Sequence, residues 1–176
     1  MNFQKENEQT SIHSDLTRNK IILYHPPGTF KLTRASKALL NAIEQNEGLL
    51  HSIGIEWGNG IGCLSIFACK TANIEKIYGL EISERNIAAF KINIQINELE
   101  HRISILRSDS YKPFERSDLE KLEQLRGRVF FILANPPSSQ LDHGLGYRRK
   151  VLKEGQDFLV SGGRVFLNVS FQFWNR

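Results

Sequence analysis

Cysteine is scarce in this chain: Cys63 and Cys69 are the only two among 176 residues. They lie in one apolar-periodic segment, with no CxxC and no Cys/His ligand spacing, which excludes a disulfide scaffold and a structural zinc site. Both read as small buried hydrophobes. The histidines (His13, His25, His51, His101, His143) are scattered without ligand spacing, so no metal centre is expected. Long apolar runs are missing too. The longest, Val129 to Ala134, is strand-length and far short of a membrane span. The polar start MNFQKENEQTSIHSD lacks an apolar secretory core, which sets the expectation of a cytoplasmic protein without a membrane partner. A net charge of +4, with its excess in YRRKVLKEG and around Arg126 and Arg128, is too small to name a polyanionic partner and reads as a solvated helix face.

What is present is a regular alternation of strand and helix patterns. Residues 1–19 are polar and without period, and read as a mobile tail. Residues 20–48 hold a strand-like run, a Pro-Pro-Gly turn and the helix pattern KLTRASKALLNAIEQNEG, expected to pack on the core. From 49 to 176 the strands LLHSIGIEW, KIYGLEI, RISILRSD, VFFILA and RVFLNVS are separated by helical segments. One of these opens on Ser83 as N-cap, and another, YRRKVLKEGQDFLVSGG, is expected to stop at Gly162-Gly163. Apolar strands joined through helices predict a doubly wound, mostly parallel α/β sheet with helices on both faces.

Chemistry-bearing residues recur where these strands end. Gly58, Gly60 and Gly62 alternate between the first strand and its helix, a GxGxG spacing distinct from the GxGxxG of dinucleotide dehydrogenases. Such a loop serves either a tight turn or the close approach of a ligand to bare backbone. Glu81 ends the second strand, suited to accepting from both hydroxyls of a ribose or to a helix dipole. Asp109 ends the third, where it either meets an adenine amino group or shapes a turn. The fourth strand stops abruptly at Asn135-Pro136-Pro137-Ser138. Two prolines cannot continue a strand, and an Asn-Pro turn alone would explain them.

Taken together, EWGNGIG, Glu81, Asp109 and ANPPS resemble the motifs of class I S-adenosylmethionine-dependent methyltransferases, over about Pro26 to Ser170. DHGLGYRRKVLKEGQDFLVSGGRVFLNVS is similar to the matching part of release-factor glutamine methyltransferases and small-domain ribosomal RNA guanine methyltransferases. The resemblance implies a Rossmann-like sheet, S-adenosylmethionine as cofactor, and methyl transfer to a planar amine of a protein glutamine or a nucleic-acid base. It places cofactor contacts on Glu56, Gly58, Asn59, Gly60, Gly62, Glu81, Ile82, Asp109, Ser110 and Asn135. Acceptor chemistry falls on Asn135, Pro136, Pro137 and Ser138. The asparagine oxygen and the Pro136 carbonyl would accept the two amine hydrogens and aim the nitrogen.

The chain departs from the family pattern in two respects. Ser138 stands where an aromatic residue stacks on the substrate, leaving Phe30, Tyr147 and Trp174 as candidate rings. The last strands of the family's seven-stranded sheet have no visible counterpart, so an open edge beside the fifth strand invites a homodimer. A cofactor-binding module without catalysis and, more distantly, a nicotinamide dehydrogenase remain alternatives. His25 before Pro26-Pro27-Gly28 is a candidate contact, and His143 to Tyr147 a candidate gate.

Overall fold

The computed structural model describes residues 2–6, 9–13, 20–139 and 142–169. Strands β1 (Asn2–Glu6), β2 (Gln9–His13) and β3 (Lys20–Tyr24) precede helix α1 (Arg34–Gln45). Then follow β4 (Ser52–Trp57), α2 (Cys63–Thr71), β5 (Ile74–Glu81), α3 (Glu84–Ile96), β6 (Ile103–Asp109) and β7 (Lys112–Pro113). Helix α4 (Arg116–Glu123), β8 (Val129–Ala134), α5 (Gly146–Gly155) and β9 (Leu159–Leu167) complete the described chain. The main sheet runs β7-β6-β5-β4-β8-β9, parallel throughout except for the two-residue β7. The strand order reverses between β4 and its neighbours β5 and β8. Ligands bind at such a switch point, outside the carboxyl ends of the strands.

The strands are apolar on both sides because both sides are covered. Leu39, Leu40 and Ile43 of α1, Phe67 of α2 and Phe90 of α3 form one core layer with Ile77, Ile103, Phe131 and Leu133. Leu122 of α4 and Val151 of α5 form the other with Ile55, Leu80, Leu106, Ile132 and Phe158. Burial of each large apolar side chain stabilises the fold by roughly 1.5–3 kcal/mol. Both cysteines are buried and free. Burial pushes the Cys63 thiol up and that of Cys69 to about 12, which leaves them protonated and unreactive.

Two sequence expectations are corrected. Within residues 1–19, read as a tail, β1 and β2 pair with each other and with the expected strand β3 as an antiparallel sheet, and Ile12 enters the core; residues 1, 7–8 and 14–19 lie outside the described residues. Helix α5 ends at Gly155, not at the Gly-Gly pair. A Cβ at Gly155 would stand 2.6 Å from the Tyr111 hydroxyl, so helix and sheet meet there and the chain turns back. Phe158, stacked on Tyr111 at 5.1 Å, then leads into β9, whose register shift against β8 accommodates Gly162 and Gly163. A short apolar run such as DFLV suits helix and strand alike, and packing against Tyr111 selects the turn. Helix α4, for which the sequence raised no expectation, lies in ERSDLEKLE, a stretch too polar for its apolar period to stand out.

The N-terminal sheet is fastened by α3. Asn93 accepts from Tyr24 N at 2.5 Å and donates to Tyr24 O at 3.0 Å and Ile61 O at 2.9 Å. Asn97 makes the same pair of bonds to Ile22, at 3.3 and 2.8 Å. The two amides, one turn apart, substitute for a further strand along the β3 edge. Asn93 is fully buried, so its removal strands three backbone groups away from water. Asn93→Ala is therefore expected to cost roughly 2–4 kcal/mol in chemical denaturation. A loss below about 0.5 kcal/mol, the level of an ordinary surface change, would contradict this role.

Candidate active site

The turn from β4 into α2 is built on backbone that only glycine takes without strain. Gly58, Gly60 and Gly62 all have positive φ (63°, 55° and 83°), and a Cβ on Gly62 would meet the Phe90 ring at 1.8 Å. The loop is tied to β5: Gly58 N and Asn59 N donate to Leu80 O, and Gly60 N donates to Glu81 Oε2 at 2.7 Å. Glu81 Oε1 accepts from Ile82 N at 3.0 Å and Ser83 N at 2.8 Å.

Above this loop a cavity of about 280 Å³ opens at the carboxyl ends of β4, β5, β6 and β8. Gly58, Gly60, Glu81, Ile82, Asp109, Ser110, Asn135 and Pro137 line it. The other expected residues lie elsewhere. Glu56 and Asn59 border a small recess behind the loop, whereas Gly62 is spent on packing against Phe90. Pro136 and Ser138 border a second recess of about 350 Å³. Asn135 borders all three, so it stands where the cavity at the strand ends meets the second recess.

Among the candidate rings, Phe30 and Tyr147 line the cavity, 38% and 42% exposed, while Trp174 lies outside the described residues. Phe30 rests over Gly60 and is held by its own amide, which donates to Asn86 Oδ1 at 3.2 Å. His25 lines a separate recess, and His143 forms part of the turn that carries Tyr147 into place at the head of α5. Ser110 accepts from Trp57 Nε1 at 2.7 Å and donates to Glu154 at 3.1 Å. It thereby links β4, β6 and α5.

Sequence reasoning missed Ser36 and Arg148. The Asn135 amide nitrogen donates to Ser36 Oγ at 3.1 Å, and Ser36 is the third helical residue of α1, in a capping box with Thr33. Arg148 is buried, with bonds to Asn168 O and Gly144 O at 2.8 Å and to Pro137 O at 3.5 Å. Neither left a signal in the sequence: the capping box here ends on a serine rather than the usual Glu or Gln.

The donor set fits S-adenosylmethionine. Gly58 and Gly60 present backbone without side chains, Glu81 offers an acceptor-only carboxylate for hydroxyls, and Asp109 sits exposed at the end of β6. Asn59 Oδ1, the one buried side-chain polar atom without a partner among the described residues, lies behind the loop against Gly79 and takes no part in this cavity. No group of three His, Cys, Asp or Glu side chains suited to a metal ion occurs among the described residues.

Glu56 has turned inward instead, accepting from Ser65 N at 3.0 Å and from Ser65 Oγ. Burial raises its pKa from the ordinary carboxylate value to about 8, against the opposing pull of the two Ser65 bonds. The folded chain thus keeps a proton that the unfolded chain releases above about pH 4.5. Stability is full below that pH and falls by roughly 1.4 kcal/mol per unit as pH rises towards 8. Glu56→Gln is expected to flatten this slope in thermal unfolding between pH 5 and 9. An unchanged slope would place the proton elsewhere.

Known proteins share this architecture. The methyltransferase small domain model matches residues 20–173. No curated protein sequence matches the chain. Among solved structures, the 16S rRNA N2 G1207 methyltransferase of T. thermophilus, in complex with AdoMet and guanosine, superposes with a TM-score of 0.70 at 20% identity over 96% of this chain. The M. jannaschii tRNA m1G37 methyltransferase gives 0.59 at 21% identity over 92%. The ribosomal protein L11 methylase of Lactobacillus delbrueckii subsp. bulgaricus gives 0.59 at 18% over 80%. At such identities the likeness is one of fold. The chain spans 43%, 44% and 62% of those three proteins' lengths. No helix among the described residues is long and apolar enough to cross a membrane. The family match over most of the sequence, on a sheet whose rim carries the glycine loop, Glu81 and Asn135, means that this chain belongs to the methyltransferase small domain family.

Proposed function

We propose that the chain is an S-adenosylmethionine-dependent N-methyltransferase whose acceptor is an amine of a nucleic-acid base. One observation carries the reading. Ser36 holds the amide nitrogen of Asn135, which leaves the carbonyl oxygen to accept from a substrate N–H. That oxygen belongs to the residue shared by the cofactor-side cavity and the acceptor-side recess.

The amine of a base is a poor nucleophile because its lone pair is delocalised into the ring. Asn135 Oδ1 and the Pro136 carbonyl, whose direction the proline ring restricts, accept its two hydrogens and orient the nitrogen. S-adenosylmethionine, when bound, supplies the electrophilic methyl group. Glu81 and the glycine loop hold the cofactor, and Phe30 and Tyr147 offer the stacking surface that Ser138 lacks. These exposed rings favour a base over a glutamine side chain, and the T. thermophilus enzyme that shares the fold with a TM-score of 0.70 is a 16S rRNA methyltransferase.

Two measurements test this proposal. S-adenosylhomocysteine binding by calorimetry is expected to weaken roughly ten- to 100-fold in Glu81→Ala. In the same titration Asn135→Ala should bind as the unaltered chain does. Transfer of tritiated methyl into RNA should fall by a factor on the order of 100 in Asn135→Ala and about tenfold in Ser36→Ala. Label appearing in protein rather than RNA, or no cofactor binding, would overturn the proposal.

A further inference from the structure

Building on the base-methylation reading, we infer that a nucleic-acid strand crosses the N-terminal end of α1, its phosphates held by Lys31, Arg34 and Lys37. Three openings join along one path. The cofactor-side cavity and the recess of about 350 Å³ share Phe30, Asn135 and Pro137. That recess shares Thr33 and Arg34 with a third, of about 380 Å³, walled by Lys31, Lys37 and His25.

The charge along this path changes sign at Asn135. Glu81 and Asp109 line the cofactor side. Beyond Asn135, none of the described residues lining the two recesses is Asp or Glu. Lys31, Arg34 and Lys37 are exposed at three-residue intervals, the latter two one turn apart on α1. The first turn of α1 carries no acid, so its amide dipoles add to the positive field. Arg148, at the junction, brings a further positive charge that meets backbone carbonyls and no carboxylate among the described residues.

A polyanion is attracted to one side of this boundary and repelled from the other, so its backbone stays on α1 while a single base reaches Asn135. An acidic peptide satisfies the cations equally but has no planar ring for Phe30 and Tyr147, which favours nucleic acid.

The test is binding of a fluorescently labelled single-stranded RNA of about 20 nucleotides over a range of salt concentrations. Neutralising Lys31, Arg34 and Lys37 to Ala together is expected to lower the slope of log affinity against log salt by about 2. S-adenosylhomocysteine affinity should stay the same, which shows that the variant is folded. A charge-matched variant on the α4 side of the sheet, with Arg116, Lys121 and Arg128 changed to Ala, should keep the original slope. An unchanged slope in the α1 variant overturns the inference, as does an equal loss in the α4 variant or equally tight binding of polyglutamate. If the unaltered chain carries label into RNA and the α1 variant does so equally well, the path is wrong and the base-methylation reading stands. If the unaltered chain carries none into RNA, both fall.

Discussion

The rim of the sheet depends on how closely one loop approaches one carboxylate. Gly60 N donates to Glu81 Oε2 at 2.7 Å, while the two preceding amides bind Leu80 O. These bonds require the chain leaving β4 to cross directly over the end of β5. That path has left-handed backbone at three positions and no room for a side chain at Gly62, where Phe90 fills the space. The cavity is the volume that remains above a loop pressed down in this way. Glu81 holds the loop through one oxygen and the turn into α3 through the other, and still faces the opening.

The N-terminal segment closes the other side. Asn93 and Asn97 give the β3 edge the hydrogen bonds that a neighbouring strand would supply, and Leu39, Leu40 and Ile43 seat α1 on the same core layer. As a result the first turn of α1 reaches the end of β8. Ser36 then serves two partners at once: it completes the helix cap with Thr33 and accepts from the side-chain amide of Asn135. Its hydroxyl has one proton and two lone pairs, and the capping geometry leaves one of them for the asparagine. A helix cap worth about 1 kcal/mol by itself thereby also orients a side chain in the site.

Opposite charges gather on the two sides of Asn135 for a topological reason. Acidic residues sit at strand ends, where the amides of following loops and helices receive them. Arg34 and Lys37 come from α1, a helix outside the parallel sheet, and Lys31 from the segment just before it. A count of charge along the chain points instead to the late segment YRRKVLKEG. There Lys150 approaches Asp109 at 3.6 Å, and Arg148 is buried among backbone carbonyls. Lys31, Arg34 and Lys37 form no run in the sequence, and the seating of α1 brings them to the recesses beyond Asn135.

The alternation of strands and helices, the parallel sheet and the residues ending each strand were all legible in the sequence. These features follow from periodicity and from the rule that parallel strands gather their carboxyl ends on one edge. Gly58, Gly60, Glu81, Asp109 and Asn135 could therefore be named as neighbours before any contact was known. Tertiary structure alone decided what each polar group faces. Glu56, read as a cofactor contact, turned to Ser65; Gly62 gave its space to Phe90; the Gly-Gly pair entered β9; and Ser36 met Asn135 across 99 residues of chain. Local pattern specifies which face of an element is buried, whereas a hydrogen-bond partner is chosen by packing distances that no local pattern contains.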